Sequence, residues 1–161
     1  MPETTPPSRC PEIVDWLIRR GQTLATAESC TGGLIAHSVT DIAGASKCFL
    51  GGIVAYSNEA KMKFVGVAEA TLNAHGAVSE AVAAELASGV RTAFESNWAV
   101  GVTGIAGPGG GTKEKPVGLV YIGIAGDGVL DVARHEFKGS RQAIKQATAT
   151  AALGMLWRRL S

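Results

Sequence analysis

The chain has 161 residues, 46% of them hydrophobic and 18% charged, and 15 Lys+Arg against 14 Asp+Glu leave a formal charge of +1. That length suffices for one domain with a proper core, and the composition is too apolar for a disordered chain. Near-neutral charge without a basic stripe, together with 6% aromatic residues, argues against a nucleic-acid partner, duplex or single-stranded.

The start, MPETTPPSRCPE, is polar and holds four of the six prolines, so residues 1–8 are expected to be a flexible tail ahead of a single domain at 9–161. It has no apolar h-region, and no run in the chain approaches the roughly 20 apolar residues of a membrane span. Cys10, Cys30 and Cys48 are odd in number and lack metal-ligand spacing, so they read as reduced thiols. No membrane contact and a cytoplasmic location are the expectation.

Ile13, Trp16, Leu17 and Arg20 recur at helical intervals, which predicts a helix over 11–20 with Gly21 as its stop. A short strand follows over 23–27, then a helix over 31–40 starting at Gly32-Gly33. The β-branched run at 51–57 reads as a strand, and 58–65 and 70–75 as short helical pieces. Ser79 is an N-cap for a helix reaching about residue 95, whose Val82, Leu86, Val90 and Phe94 share a face. Strand character returns over 98–102. The runs 117–125 and 129–137 form a hairpin across Gly126-Asp127-Gly128, and Ser140 opens a closing helix to about residue 160. Strands and helices alternate before the hairpin, which predicts a three-layer α/β/α sandwich with a mixed, roughly five-stranded sheet.

Residues 101–118, GVTGIAGPGGGTKEKPVG, hold seven glycines in eighteen positions. Glycine costs backbone entropy, so such density suits a loop whose amides approach a ligand, although long turns in a glycine-rich fold would read the same way. No Gly-Lys step follows, which removes a Walker A element. Thr112 stands where a dinucleotide fingerprint needs its last glycine, and a strand follows. His37, His75 and His135 lie in different elements without ligand spacing, so no metal is expected.

Cys30, in Ser29-Cys30-Thr31-Gly32-Gly33, sits before a predicted helix start whose dipole lowers a thiol pKa. It reads either as a nucleophile or as a small buried corner residue. Ser29, Thr31 and the amides of Gly32 and Gly33 are suited to an anion at that helix start. Ser46 passes equally as a turn residue or as a nucleophile, and Lys61 as a solvated helix lysine or as the base a serine needs.

TAESCTGG, DIAGAS with Phe49 after it, GGIVAYSNEAK, HGAVSE and VTGIAGPGGG…EKPVG, in this order, resemble the C-terminal domain of the CinA family over about residues 11–160. Stand-alone members of that family are nicotinamide-nucleotide amidohydrolases, also called nicotinamide mononucleotide deamidases. The family's other form carries an N-terminal pyrophosphatase-type domain, which a chain of this length is expected to lack. The resemblance implies a mixed five-stranded α/β/α fold and hydrolysis of the carboxamide of nicotinamide mononucleotide to nicotinate mononucleotide and ammonia, without a cofactor.

Residue by residue, the resemblance implies Ser46 as nucleophile, Lys61 as its base and Tyr56 as orienter or proton relay. Ala45 stands where many relatives have a second serine. Asn58 in the same motif, Thr103, Gly104, Gly107 and Arg141 are implied to hold ribose and phosphate, the last through the short pattern FKGSR. A strand over 51–56 would separate its flanks by roughly 20 Å at 3.3 Å per residue. Ser46 and Lys61 can then meet only if 46–50 double back or a second subunit supplies one of them, which would make a homodimer part of the mechanism. Two other readings stand beside this one: a catalytically inactive nucleotide-binding or regulatory module, and a cysteine hydrolase using Cys30.

Overall fold

The computed structural model describes residues 8–161, so of the tail expected at 1–8 all but Ser8 lies outside the described residues. Helix α1 (Cys10–Arg20) buries Cys10, Ile13, Val14 and Leu17 along one face. It stops at Gly21, whose left-handed φ of 61° lets its N–H and that of Gln22 return to the carbonyls of Ile18 and Leu17.

Next come β1 (Leu24–Glu28), α2 (Leu34–Thr40) and β2 (Phe49–Val54). A short α3 (Asn58–Ala60) runs on into a π-turn over Lys61–Val65. Helices α4 (Glu69–His75) and α5 (Glu80–Phe94), strands β3 (Trp98–Gly104), β4 (Leu119–Gly126) and β5 (Val129–Glu136), and helix α6 (Arg141–Leu160) complete the fold. Ser57, Ser79 and Ser140 cap α3, α5 and α6, each accepting a backbone N–H in the first turn at 3.0–3.2 Å.

The sheet order is β2-β1-β3-β4-β5, parallel across the first three strands and antiparallel across the last three. Apolar residues of α1, α2 and α6 cover one face, and those of α5 and the π-turn the other. The expected three-layer α/β/α sandwich with a mixed five-stranded sheet is therefore what the chain forms. Helix α5 sits close because Gly101 and Gly123, paired across β3 and β4, offer no side chain beneath it. A Cβ on Gly101 would lie 2.4 Å from the Ala87 backbone nitrogen, and one on Gly123 would lie 2.7 Å from the Ala83 carbonyl oxygen. Among the described residues no helix is long and apolar enough to cross a membrane.

Local boundaries differ from expectation for identifiable reasons. The helix expected from residue 31 begins at Leu34, because Gly32 and Gly33 take left-handed φ values of 63° and 102°. The strand expected at 51–57 occupies Phe49–Val54 instead, pairing through both of its glycines and ending before Tyr56.

Candidate active site

Strands β1, β2 and β3 run in the same direction, so their C-terminal ends meet at one edge of the sheet. β3 is also where parallel pairing gives way to antiparallel. A crevice beyond the carboxyl ends of parallel strands is the usual ligand position in open α/β sheets. A cavity of about 200 Å³ lies here, lined by Ser29 and Cys30 after β1, by Tyr56, Asn58 and Lys61 after β2, and by Thr103, Gly104 and Ala106 from β3 and beyond. Ala77 and Val78 ahead of α5, and Arg141 at the start of α6, close it.

Lys61 is the most unusual group in this wall. It opens the π-turn after β2 and is only 2% exposed, although lysine is rarely buried. Its Nζ donates to the Tyr56 carbonyl oxygen at 3.1 Å. Burial pushes its ammonium below the ordinary lysine range, opposed in part by the nearby Cys30 thiol. A buried amine that gives up its proton readily is suited to accept one from a neighbouring hydroxyl. Tyr56 thus holds Lys61 through its main chain. Its ring is 62% exposed, and its phenol oxygen accepts from Arg141 Nη2 at 3.1 Å.

Two buried hydroxyls share the cavity with Lys61. Ser29 is buried, and its backbone N–H donates to Val102 O at 3.1 Å, which fixes it at the β1–β3 edge. Thr103 is buried too, its Oγ1 donating to Ala77 O at 2.7 Å. Lys115 Nζ donates to His75 O at 2.6 Å, so the glycine-rich loop and β3 both hold the 75–79 segment against the cavity. Arg141 Nη1 donates to Gly107 O at 2.7 Å and secures the other side of that loop. Among the described residues no carboxylate lines the cavity.

Several expected residues lie outside the cavity lining. Ser46 is exposed on a 3-10 turn (Ala45–Lys47) ahead of β2, at the end where Leu24 N donates to Cys48 O at 2.9 Å. The six residues of β2 put about 17 Å of strand between that turn and the cavity edge, so one chain does not bring Ser46 to Lys61. Residues 46–50 do not double back. Thr31 Oγ1 donates to Glu28 Oε1 at 2.6 Å, and Glu28 also accepts the N–H groups of Ile35 and Ala36. Thr31 therefore serves the start of α2. Gly32, Gly33 and Gly107 stand beside the cavity without lining it.

Of the two readings of Cys30, the structure fits the small buried corner residue: burial pushes its thiol up to about 11, so it is held as a thiol. All three cysteines are buried and free. His37 and His75 are exposed, while His135 stacks on Phe137 with centroids 5.1 Å apart. Among the described residues no three His, Cys, Asp or Glu side chains gather as metal ligands would.

Sequence reasoning missed Glu28 and Lys115. Glu28 ends an apolar strand three residues before a threonine, a spacing that signals a local carboxylate anchor.

A buried lysine sharing a cavity with buried hydroxyls, at the carboxyl ends of parallel strands, defines an α/β/α domain with a compact candidate site. The chain belongs to the CinA C-terminal domain family, whose model matches residues 9–160. It is 58% identical over 144 residues to a protein of Moorella thermoacetica, covering 89% of this chain and 35% of that protein. It is 48% identical over 148 residues to a CinA-like protein of Kosmotoga olearia, covering 92% and 36%. The chain thus spans about a third of the length of the curated relatives it matches. Among solved structures, the competence/damage inducible protein CihA from Agrobacterium tumefaciens is 42% identical with a TM-score of 0.88, covering 94% of this chain and 96% of that one. A competence or damage-inducible protein from Enterobacter asburiae is 30% identical with a TM-score of 0.91, at the same coverages.

Proposed function

We propose that the chain is an amidohydrolase that converts nicotinamide mononucleotide and water to nicotinate mononucleotide and ammonia. The observation that carries this reading is Lys61, 2% exposed and with its ammonium pushed down by burial, facing the same cavity as buried Ser29. Neutral Lys61 takes the Ser29 hydroxyl proton as Oγ attacks the carboxamide carbon. The lysine then returns that proton to the amide nitrogen, the C–N bond breaks and ammonia leaves. Water hydrolyses the resulting ester, regenerating Ser29 and releasing the carboxylate. Amides of the glycine-rich loop are suited to the oxyanion, and Thr103, Asn58 and Arg141 to the ribose phosphate. No cofactor enters these steps.

The resemblance gives the nucleophile's role to Ser46, and that assignment requires a second copy to present its 45–47 turn at the cavity. The exposure of that turn favours keeping this as the second reading. Cys30 is a poorer nucleophile, since its thiol is held protonated. The test is ammonia release from nicotinamide mononucleotide by the purified protein. Release that survives thiol alkylation supports the serine reading. Tight nucleotide binding with no ammonia would replace it with a non-catalytic binding module.

A further inference from the structure

We propose that Glu28 is a positioning residue for the hydrolysis: its buried carboxyl holds the turn that carries Ser29, so that the serine hydroxyl stays in register with Lys61. This rests on the amidohydrolase reading with Ser29 as nucleophile. Glu28 ends β1 and is 1% exposed, yet it does not line the cavity. Among the described residues no basic side chain lies within ion-pair distance of it. A carboxyl group buried without a cation costs the fold free energy. Capping α2 does not by itself call for that cost. A helix start is ordinarily satisfied by a short side chain at the N-cap position, and Gly33 there has none.

What Glu28 holds is the Ser29 corner. Its Oε1 accepts Thr31 Oγ1 at 2.6 Å and the Ile35 N–H at 2.8 Å, and its Oε2 accepts the Ala36 N–H at 3.0 Å. The side chain therefore clamps the segment that follows Ser29, and the Gly32 N–H closes the turn on Ser29 O at 3.0 Å. The main chain of the same residue reaches the base. Ala55 N–H donates to Glu28 O at 2.8 Å, and the next residue, Tyr56, carries the carbonyl to which Lys61 Nζ donates. Nucleophile and base are thus tied to one residue, Ser29 as its chain neighbour and Lys61 through Ala55 and Tyr56. Reacting groups displaced by about 1 Å lose roughly 100-fold in rate. Slack in this clamp should therefore be read in turnover before it is read in substrate binding.

The experiment follows Glu28→Gln, Thr31→Val and Thr31→Ser by thermal melting, by kcat and KM on nicotinamide mononucleotide, and by the rate at which a fluorophosphonate labels Ser29. Glutamine keeps the shape of Glu28 but sets an NH2 group where one oxygen accepted. The expected result is a Glu28→Gln protein that melts near the native temperature, with kcat down about 10- to 100-fold, KM little changed and Ser29 labelling slowed in step. Thr31→Val should reproduce part of the loss and should add little to Glu28→Gln, since both cut the same contact. Thr31→Ser keeps the hydroxyl and should stay near native. If Glu28→Gln does not fold, Thr31→Val against Thr31→Ser decides. Native turnover in both Glu28→Gln and Thr31→Val, a loss confined to KM, or equal losses in Thr31→Val and Thr31→Ser overturns the proposal. If the native protein releases no ammonia, the amidohydrolase reading fails and labelling decides alone. Slower labelling of Ser29 in Glu28→Gln then sustains the clamp; an unchanged rate, or no labelling of Ser29 in the native protein, overturns it.

Discussion

An ammonium buried to the degree of Lys61 costs the fold free energy, because its charged form loses hydration that a single carbonyl bond does not replace. Its folded pKa lies below the ordinary lysine value of about 10.4, so between the two the unfolded chain binds more protons. Stability therefore rises with pH across that window, and the full cost applies below the folded value. Lys61→Met should abolish turnover yet leave the melting temperature equal to or above that of the native protein. The gap should be widest at low pH and should narrow as pH climbs through the lowered value. Activity carries the complementary signature: a base must be free, so kcat/KM should rise with pH through the same pKa. Lys61→Arg keeps the charge but cannot accept the proton, and should be as inactive as Lys61→Met. A near-normal rate in Lys61→Arg, or a native rate that falls as pH rises, would defeat Lys61 as the base.

How far the site was legible depends on what each residue's role requires. Lysine at the end of YSNEAK announces its chemistry by type, but its burial follows from the π-turn, and hydrophobic periodicity does not distinguish a π-turn from an α-turn. Serine caps at positions 79 and 140 were legible because capping is local. The start of α2 was not, since it depends on Glu28 reaching forward from another element. Packing between elements makes a further demand at Gly89 in α5. A Cβ there would lie 2.0 Å from the Val65 carbonyl oxygen, inside the π-turn that Lys61 opens. Both partners are backbone, so neither can rotate away. Gly89→Ala should cost about 1–3 kcal/mol of stability by overpacking, despite alanine's better helix propensity. It should also depress kcat, because the displaced turn carries the base. Thermal denaturation alongside turnover checks both effects; a more stable, fully active Gly89→Ala variant would show that the turn yields freely.

Whether one chain or two complete the site is a question for the whole molecule. Parallel strands place the residues before β2 and those after it at opposite edges of the sheet, so a motif contiguous in sequence is split in space. That is why Ser46 and Lys61, paired by the resemblance, lie at opposite ends of β2 within one chain. β2 is also an edge strand, and Leu50 and Val54 on it are 46% and 52% exposed, the kind of apolar edge that a second copy can cover. The two assignments of the nucleophile therefore predict different behaviour in mixtures. With Ser29 as nucleophile, Ser29→Ala should lose turnover by about a thousandfold or more, and Ser46→Ala should stay within a few-fold of native. Mixing either inactive variant, Ser29→Ala or Lys61→Met, with the other should then recover nothing, because both residues belong to one cavity. With Ser46 supplied by a second copy, Ser46→Ala should be inactive alone. An equimolar mixture with Lys61→Met, unfolded and refolded together, should then regain roughly a quarter of native turnover, the share of intact sites among randomly paired copies of a two-fold dimer. Recovery in that second mixture would move the nucleophile from Ser29 to Ser46 and make dimerisation part of the chemistry.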